Sequence, residues 1–337
     1  MAGHLTNFKF IFFTFHSLET LGCNPTGNHI KARKILSFYS GKRAYHHTQW
    51  IEQNIKNLTA RKILKKVVER VELLNKLFTV AQAILFVSFK KIDIVQANCG
   101  FHPLPYNLAR FKKTTLVYYF RDLQDYTRIN ISKFTCAAHY FFVSNTLMQS
   151  YMKQLGLPPQ KCSMVHSPFD VQQRLKLEKH PDLKLVNQLK QEGKKIIILA
   201  ARICEDKGQH IALAAINIVK KQYTNFCLLI VGKPDRDPVS HAYNESLHQF
   251  IREHGLEENV LFLGHRRDIL HLIQQANISV QTATYFEALS GALVESLQLG
   301  VTTVASAVGG SPEIIKNNVT GYTYDPNSHE ELAKILI

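Results

Sequence analysis

The sequence predicts an α/β protein of two domains, each a parallel sheet with helices on both faces, and three observations carry that reading. Short apolar runs alternate with helical patterns along the whole chain. Ile196-Ile197-Ile198-Leu199-Ala200 and Phe226 to Val231 are apolar throughout, as strands covered on both faces must be. The chain of 337 residues also exceeds the usual size of a single hydrophobic core. Two Rossmann-like domains facing across a cleft are the expected architecture.

In the first half, strands are expected at Phe8 to Phe15, Ile92 to Gln96, Thr114 to Phe120, His139 to Val143 and Cys162 to Val165. Helices are expected around Asn28 to Ser40, Ile51 to Phe78 and Thr146 to Leu155. Asp182 to Gly193 is polar and lacks a sustained apolar pattern, which places domains at 1–178 and 194–337 with a linker at 179–193. The second half repeats the alternation through strands Lys195 to Ala200, Phe226 to Val231, Val260 to Leu263, Ile278 to Gln281 and Val301 to Ser306. Gly291 to Leu299 reads as a helix closed by Gly300.

A content of 45% hydrophobic and 20% charged residues describes a globular chain. Phe10 to Phe15 and Ala81 to Phe89 are too short to cross a bilayer, which takes ~20 apolar residues. No cleavage site follows the first apolar stretch, so a cytoplasmic protein is expected. The six cysteines, at 23, 99, 136, 162, 204 and 227, lack Cys-x-x-Cys spacing and read as reduced core residues. Among 16 histidines, the adjacent pair His46-His47 has no acidic or thiol cluster beside it, and no metal site is expected.

Charge divides the chain. Residues 1–180 hold 26 Lys+Arg against 9 Asp+Glu, a net of +17, and the remainder holds 15 against 17, a net of −2. Lys56, Arg61, Lys62, Lys65, Lys66 and Arg70 lie on a helix whose other positions include Leu58, Ile63, Leu64, Val67, Val71 and Leu74. No nucleic-acid motif accompanies them. A basic amphipathic helix docking on anionic lipid, or packing into its domain, explains the pattern better than nucleic-acid binding.

The most informative stretch is Tyr285-Phe286-Glu287-Ala288-Leu289-Ser290-Gly291-Ala292-Leu293-Val294-Glu295. Free N–H groups at the helix start can hold a phosphate. Like charge bars Glu287 and Glu295 from being further phosphate ligands, so they suit sugar hydroxyls. On that reading the ligand carries both phosphate and hydroxyls; the spacing alone fits equally a Glu287 that only favours the helix dipole and a Glu295 that is only solvated. Upstream, Arg202 and Lys207 in Ala201-Arg202-Ile203-Cys204-Glu205-Asp206-Lys207-Gly208 follow an apolar strand, where cations suit an anion.

These segments resemble glycosyltransferase family 4, the retaining transferases of the GT-B fold. Glu287 and Glu295 fall on its Glu-x7-Glu motif, Gly309, Gly310 and Glu313 on Gly-Gly-x-x-Glu, and Thr320-Gly321-Tyr322 on a Thr-Gly-Phe turn. Arg202 and Lys207 fall on Gly-Arg-x-x-x-x-Lys-Gly, with Ala201 in place of its glycine. Gly27 in Asn24-Pro25-Thr26-Gly27-Asn28 is what remains of the glycine-rich loop after the first strand.

The resemblance implies an enzyme transferring a sugar from a nucleotide-sugar donor to a glycan or lipid-linked acceptor with retention, in bacterial surface polysaccharide or lipopolysaccharide synthesis. Arg202, Lys207 and Glu287 would be catalytic. Gly27, Arg202, Lys207, Glu287, Leu289, Ser290, Gly291 and Glu295 would bind the donor, with Glu287 on the sugar and Glu295 on the ribose. No metal or other cofactor is implied, and an anionic membrane surface is the expected further partner.

Two features depart from the pattern. The family commonly carries His-Gly-x-Asp near Tyr118-Tyr119-Phe120-Arg121-Asp122; that His is absent, and either Arg121 or Asp122 fills the space or the acceptor side differs. The chain also stops at Ile337, in the helix beginning at Glu330, so the family's final helices are expected to be missing. An epimerase or hydrolase acting on nucleotide sugars, an inactive binding homologue, and an inverting enzyme using His16 as base are the alternatives. Asp235-Arg236-Asp237 matches the Asp-x-Asp metal motif of the other large transferase fold, but reads as a surface loop.

Overall fold

The computed structural model describes residues 10–14, 30–34, 51, 54–89, 92–98, 103–124, 136–167, 169–177 and 181–337. Strands are numbered β1 to β12 and helices are named by their residues. Two compact units are present: Met1–Ala97, Phe101–Val117 and Cys136–Ala138 in one, Asn98–Gly100, Tyr118–Thr135 and His139–Ile337 in the other.

A six-stranded sheet dominates the second unit. Its strands are β7 (Lys195–Ala200), β8 (Phe226–Val231), β9 (Val260–Gly264), β10 (Ile278–Gln281), β11 (Thr302–Ser306) and β12 (Gly321–Tyr324), in the order β12-β11-β10-β7-β8-β9. Every adjacent pair is parallel. All six residues of β8 are buried, which is why that strand reads as an unbroken apolar run. From β7 the chain builds outward through β8 and β9, then returns to the other side of β7 for β10, β11 and β12. The β7/β10 boundary is therefore the place where strand order reverses. Parallel α/β sheets bind ligands there, beyond the carboxyl ends of the strands.

The four-stranded sheet runs β3 (Ile94–Asn98), β4 (Thr115–Phe120), β5 (His139–Phe142) and β6 (Cys162–Met164), in sequence order. Within the second unit, Tyr118 stacks on Tyr140 and Phe120 on Phe142, with ring centroids 6.0 and 5.2 Å apart. Both sheets are those of the α/β class expected from the sequence.

Three expectations are corrected. Residues 30–34 lie inside an expected helix but form β2 (Ile30–Lys34), parallel to β1 (Phe10–Thr14). The alternation Ile30-Lys31-Ala32-Arg33-Lys34 has the strand period of two. The basic helix runs Leu58–Val87 rather than Ile51 to Phe78. Asn57 starts it by accepting hydrogen bonds from the Thr59 and Ala60 amides at 2.9 and 3.0 Å, and nothing in Thr79 to Val87 breaks it. Within the expected linker, Lys184–Gln191 is helical because Val186 and Leu189 form a short buried stripe.

Among the described cysteines, Cys227 is buried and its thiol pKa is pushed up to about 11 by that burial. Cys162 and Cys204 are half-buried, and Cys136 is exposed, against the core position expected for it. Cys23, Cys99, His46 and His47 lie outside the described residues. No described helix is long and apolar enough to cross a membrane.

Candidate functional site

The exits of β7 and β10 are tied into one structure. After β7 the chain makes a 3-10 turn at Glu205–Lys207 and enters the helix Gln209–Lys220 through Gly208, at φ +65°. A Cβ at Gly208 would stand 1.9 Å from the Thr282 carbonyl oxygen, so only glycine allows the approach. Thr282 Oγ1 donates to the Lys207 carbonyl at 2.9 Å, and the Thr284 amide donates to the Asp206 carbonyl at 3.0 Å. Lys207 Nζ is thereby delivered to Glu287, with which it forms an ion pair.

Glu287 is fixed from the opposite side. The Gly310 amide donates to the Glu287 carbonyl at 3.0 Å, and a Cβ on Gly309 would fall 1.7 Å from that same oxygen. A Cβ on Gly310 would meet the Ala288 carbonyl oxygen at 2.3 Å and Ser144 Cβ at 2.9 Å. The glycine pair thus serves as the seat for the Glu287-Ala288 backbone. Glu313, a turn later, turns away from that site. Its carboxylate accepts from the Asn145 and Thr146 amides and from Thr146 Oγ1, each at 2.7 Å, closing the start of the helix Asn145–Leu155.

Ser290 is the N-cap of Gly291–Gln298, its Oγ accepting from the Leu293 amide at 3.3 Å. Leu293 and Val294 bond back to Ser290, whereas the Gly291 and Ala292 amides meet no acceptor among the described residues. Gln281, at the end of β10, accepts from Ser290 Oγ at 3.3 Å, and its own buried Nε2 has no partner among the described residues. Orphan donors beside a helix start favour an anion there.

Glu295 lies one turn further along this helix, only 8% exposed, and pairs with Arg174. Leu289 lines a cavity of about 330 Å³ together with His166, Ser167, Val294, Leu297 and Ile314.

Arg202 pairs with Asp235 at the surface. Asp237 instead caps the helix Pro238–Glu253, accepting from the Ser240 amide and hydroxyl at 2.8 Å each, and these hydrogen bonds hold its carboxyl below the usual range. Asp235 and Asp237 therefore serve different partners. Among the described residues, no group of three or more His, Cys, Asp or Glu side chains could hold a metal ion. Asp122 is committed to its own backbone, Oδ1 accepting from the Leu123 amide at 2.9 Å, while Arg121 is exposed. Gly27 and His16 lie outside the described residues.

Lys207 and Glu287, eighty positions apart in sequence, are thus brought into contact, with Ser290 capping and Gly291 opening the helix that follows. Arg174 escaped sequence reasoning altogether. It lies in an ordinary polar stretch, Val171-Gln172-Gln173-Arg174, with no spacing signal linking it to Glu295.

Residues 182–337 match the family model of Glycosyl transferases group 1. The fold is GT-B, shared by the structural neighbours. HepE from Anabaena in complex with UDP aligns over 97% of this chain and 88% of its own, with a TM-score of 0.70 and 19% identity. Its complex with UDP-glucose aligns with a TM-score of 0.68.

Among curated relatives, the amylovoran biosynthesis glycosyltransferase AmsK of Erwinia amylovora is 27% identical over 57% of this chain and 45% of its own. Sucrose synthase of Nitrosomonas europaea is 32% identical over 32% of this chain and 15% of its own. The chain thus spans less than half the length of these curated relatives.

Proposed function

We propose that this chain is a glycosyltransferase that moves a sugar from a nucleotide-sugar donor to a glycan or lipid-linked acceptor with retention of configuration, serving bacterial surface polysaccharide or lipopolysaccharide synthesis. One observation carries the reading. At the β7/β10 switch point, Lys207 meets Glu287 just before the open amides of Gly291 and Ala292. Cation and amides suit a diphosphate; the carboxylate suits hydroxyls. The match of residues 182–337 to a transferase family, the polysaccharide role in the name of AmsK, and the UDP and UDP-glucose complexes of HepE support it.

Cleaving a sugar–phosphate bond leaves charge on the departing diphosphate, which preorganised cations and dipoles stabilise. In the proposed reaction Lys207, Arg202 and the helix start do this. Glu287 holds hydroxyls of the sugar and Glu295 those of the ribose. Donor binding draws Lys207 from Glu287 and Arg202 from Asp235, so that each cation turns to phosphate. The acceptor oxygen attacks from the face the diphosphate leaves, and a phosphate oxygen takes its proton. Turnover in EDTA is expected, since the cations supply the neutralising charge.

Lys207→Ala is expected to lower turnover by roughly two to three orders of magnitude, the scale of one lost preorganised donor. Near-native turnover in a folded variant would overturn the assignment. Sugar released to water at the same rate with and without an acceptor would make the chain a hydrolase instead.

For the acceptor side we propose contact with an anionic membrane at its cytoplasmic face. On Leu58–Val87, the helical run Ile63, Val67, Leu74, Phe78 and Leu85 is exposed, with Lys62, Lys66 and Arg70 exposed beside it. Such a helix lies in an interface, and each Lys or Arg near anionic lipid adds about 1 kcal/mol, screened beyond roughly 8 Å at physiological salt. Co-sedimentation with phosphatidylserine vesicles should fall steeply with salt. It should weaken when Lys62, Lys66 and Arg70 are all changed to Glu; equal binding to neutral vesicles would defeat the proposal.

A further inference from the structure

Among the described residues, Glu295 is the one charged side chain in the buried class. A buried carboxylate without a counter-ion costs several kcal/mol. Arg174 is that counter-ion, through Nη1 to Oε1, and among the described residues the second oxygen, Oε2, has no hydrogen-bond partner. The arm that brings Arg174 is secured independently of the pair. His166 Nδ1 contacts the Val143 carbonyl at 2.9 Å, and Tyr119 OH reaches the Val165 carbonyl and Ser167 Oγ at 3.0 Å each. The Phe169 ring lies over Gly291, where an added Cβ would meet it at 3.4 Å. Asp170 then opens the helix Val171–Leu177, its Oδ1 accepting from the Gln173 amide at 2.8 Å.

We infer that Arg174 is a positioning residue for the nucleotide: it holds Glu295 by Oε1 and leaves Oε2 to accept from a ribose hydroxyl. The inference rests on the reading of Glu295 given above. The terminal carboxylate torsion of a glutamate is broad, so a single firm donor on one oxygen sets the plane of the other. A carboxylate oxygen accepts where a ribose hydroxyl donates. At 41% side-chain exposure, Arg174 stays partly hydrated and can hold this position without being buried itself.

The test is calorimetric binding of UDP and of inorganic pyrophosphate to the native chain, Arg174→Ala, Arg174→Lys, Glu295→Ala and Glu295→Gln, and to Arg174→Ala in the Glu295→Gln background. Arg174→Ala is expected to weaken UDP about tenfold, the scale of one charge-assisted hydrogen bond, with pyrophosphate unchanged. Arg174→Lys should recover most of the loss, and Arg174→Ala should have no further effect once Glu295 is Gln. If Arg174→Ala proves unfolded, Arg174→Met keeps the aliphatic stem and replaces it. Native UDP affinity in Arg174→Ala, an equal loss for pyrophosphate, or full additivity with Glu295→Gln would each overturn the inference. Native UDP affinity in Glu295→Ala would overturn the parent reading of Glu295.

Discussion

In β8 every residue from Phe226 to Val231 is buried, whereas β4, from Thr115 to Phe120, buries only Leu116, Tyr118 and Phe120 and leaves the residues between them partly or wholly exposed. The contrast extends to the helices. Gln209–Lys220 presents Ala212, Leu213, Ala215, Ile216 and Val219 to the core, while Leu58–Val87 turns Val67, Leu74 and Leu85 to solvent at 50, 59 and 70% exposure. A sheet covered on both faces has little freedom to shift, since close-packed cores transmit strain rather than absorb it. It can therefore hold loops such as those bearing Lys207 and Glu287 in fixed register. On the helix Leu58–Val87 an apolar arc is exposed instead, the arc proposed above for contact with a membrane.

Substitutions should reproduce this difference, and the largest effect is expected at the centre of the six-stranded sheet. Leu229→Ala removes a fully buried side chain and should cost about 2–5 kcal/mol in urea unfolding. A loss below 1 kcal/mol would mean that β8 is not the rigid support described. Gly309→Ala comes next. With φ at +52° and the Glu287 carbonyl in the way, it should cost roughly 1–3 kcal/mol and weaken UDP binding along with it. Unchanged UDP affinity would separate the glycine seat from the site.

By contrast, Leu74→Ala should change stability by no more than about 0.5 kcal/mol while reducing vesicle binding. A loss of 2 kcal/mol would show the arc to be a covered core face and erase the comparison. The smallest effect concerns acid. Burial lowers the pKa of His210, which contacts Tyr243 OH through Nδ1 at 2.9 Å, and Glu205 partly opposes the shift. The unfolded chain then takes up the proton first as pH falls. Stability is complete above the ordinary histidine pKa of about 6.5 and declines as pH drops below it. His210→Gln should therefore lose less stability than the native chain between pH 7.5 and 5.5, read as the shift in urea midpoint. An equal loss would assign the acid sensitivity to other groups.

Several of these features were legible before any coordinates. The strands β7 and β8 follow from their apolar runs, because an uninterrupted apolar strand has one stable environment. Arg202, Lys207, Glu287 and Glu295 stood out through the resemblance to a family's motifs, since spacing alone leaves a helix-dipole charge or a solvated side chain as open readings of the carboxylates. The strand Ile30–Lys34 was misread as helix, as short basic segments satisfy either period and only pairing with Phe10–Thr14 decides.

What the sequence by itself determined is the set of local elements and the chemical types at their ends. These depend on neighbours a few residues apart. Only the tertiary structure decided which ends meet. The return of the chain from β9 across β7 to β10 places Lys207 against Glu287, and the arm through Phe169 brings Arg174 to Glu295. Glu313, read as part of the motif, proved to close a distant helix at Asn145 and Thr146. Such pairings lie 80 to 168 positions apart in the chain, where no periodic pattern reaches and only the burial of a charge or an orphan amide selects the partner.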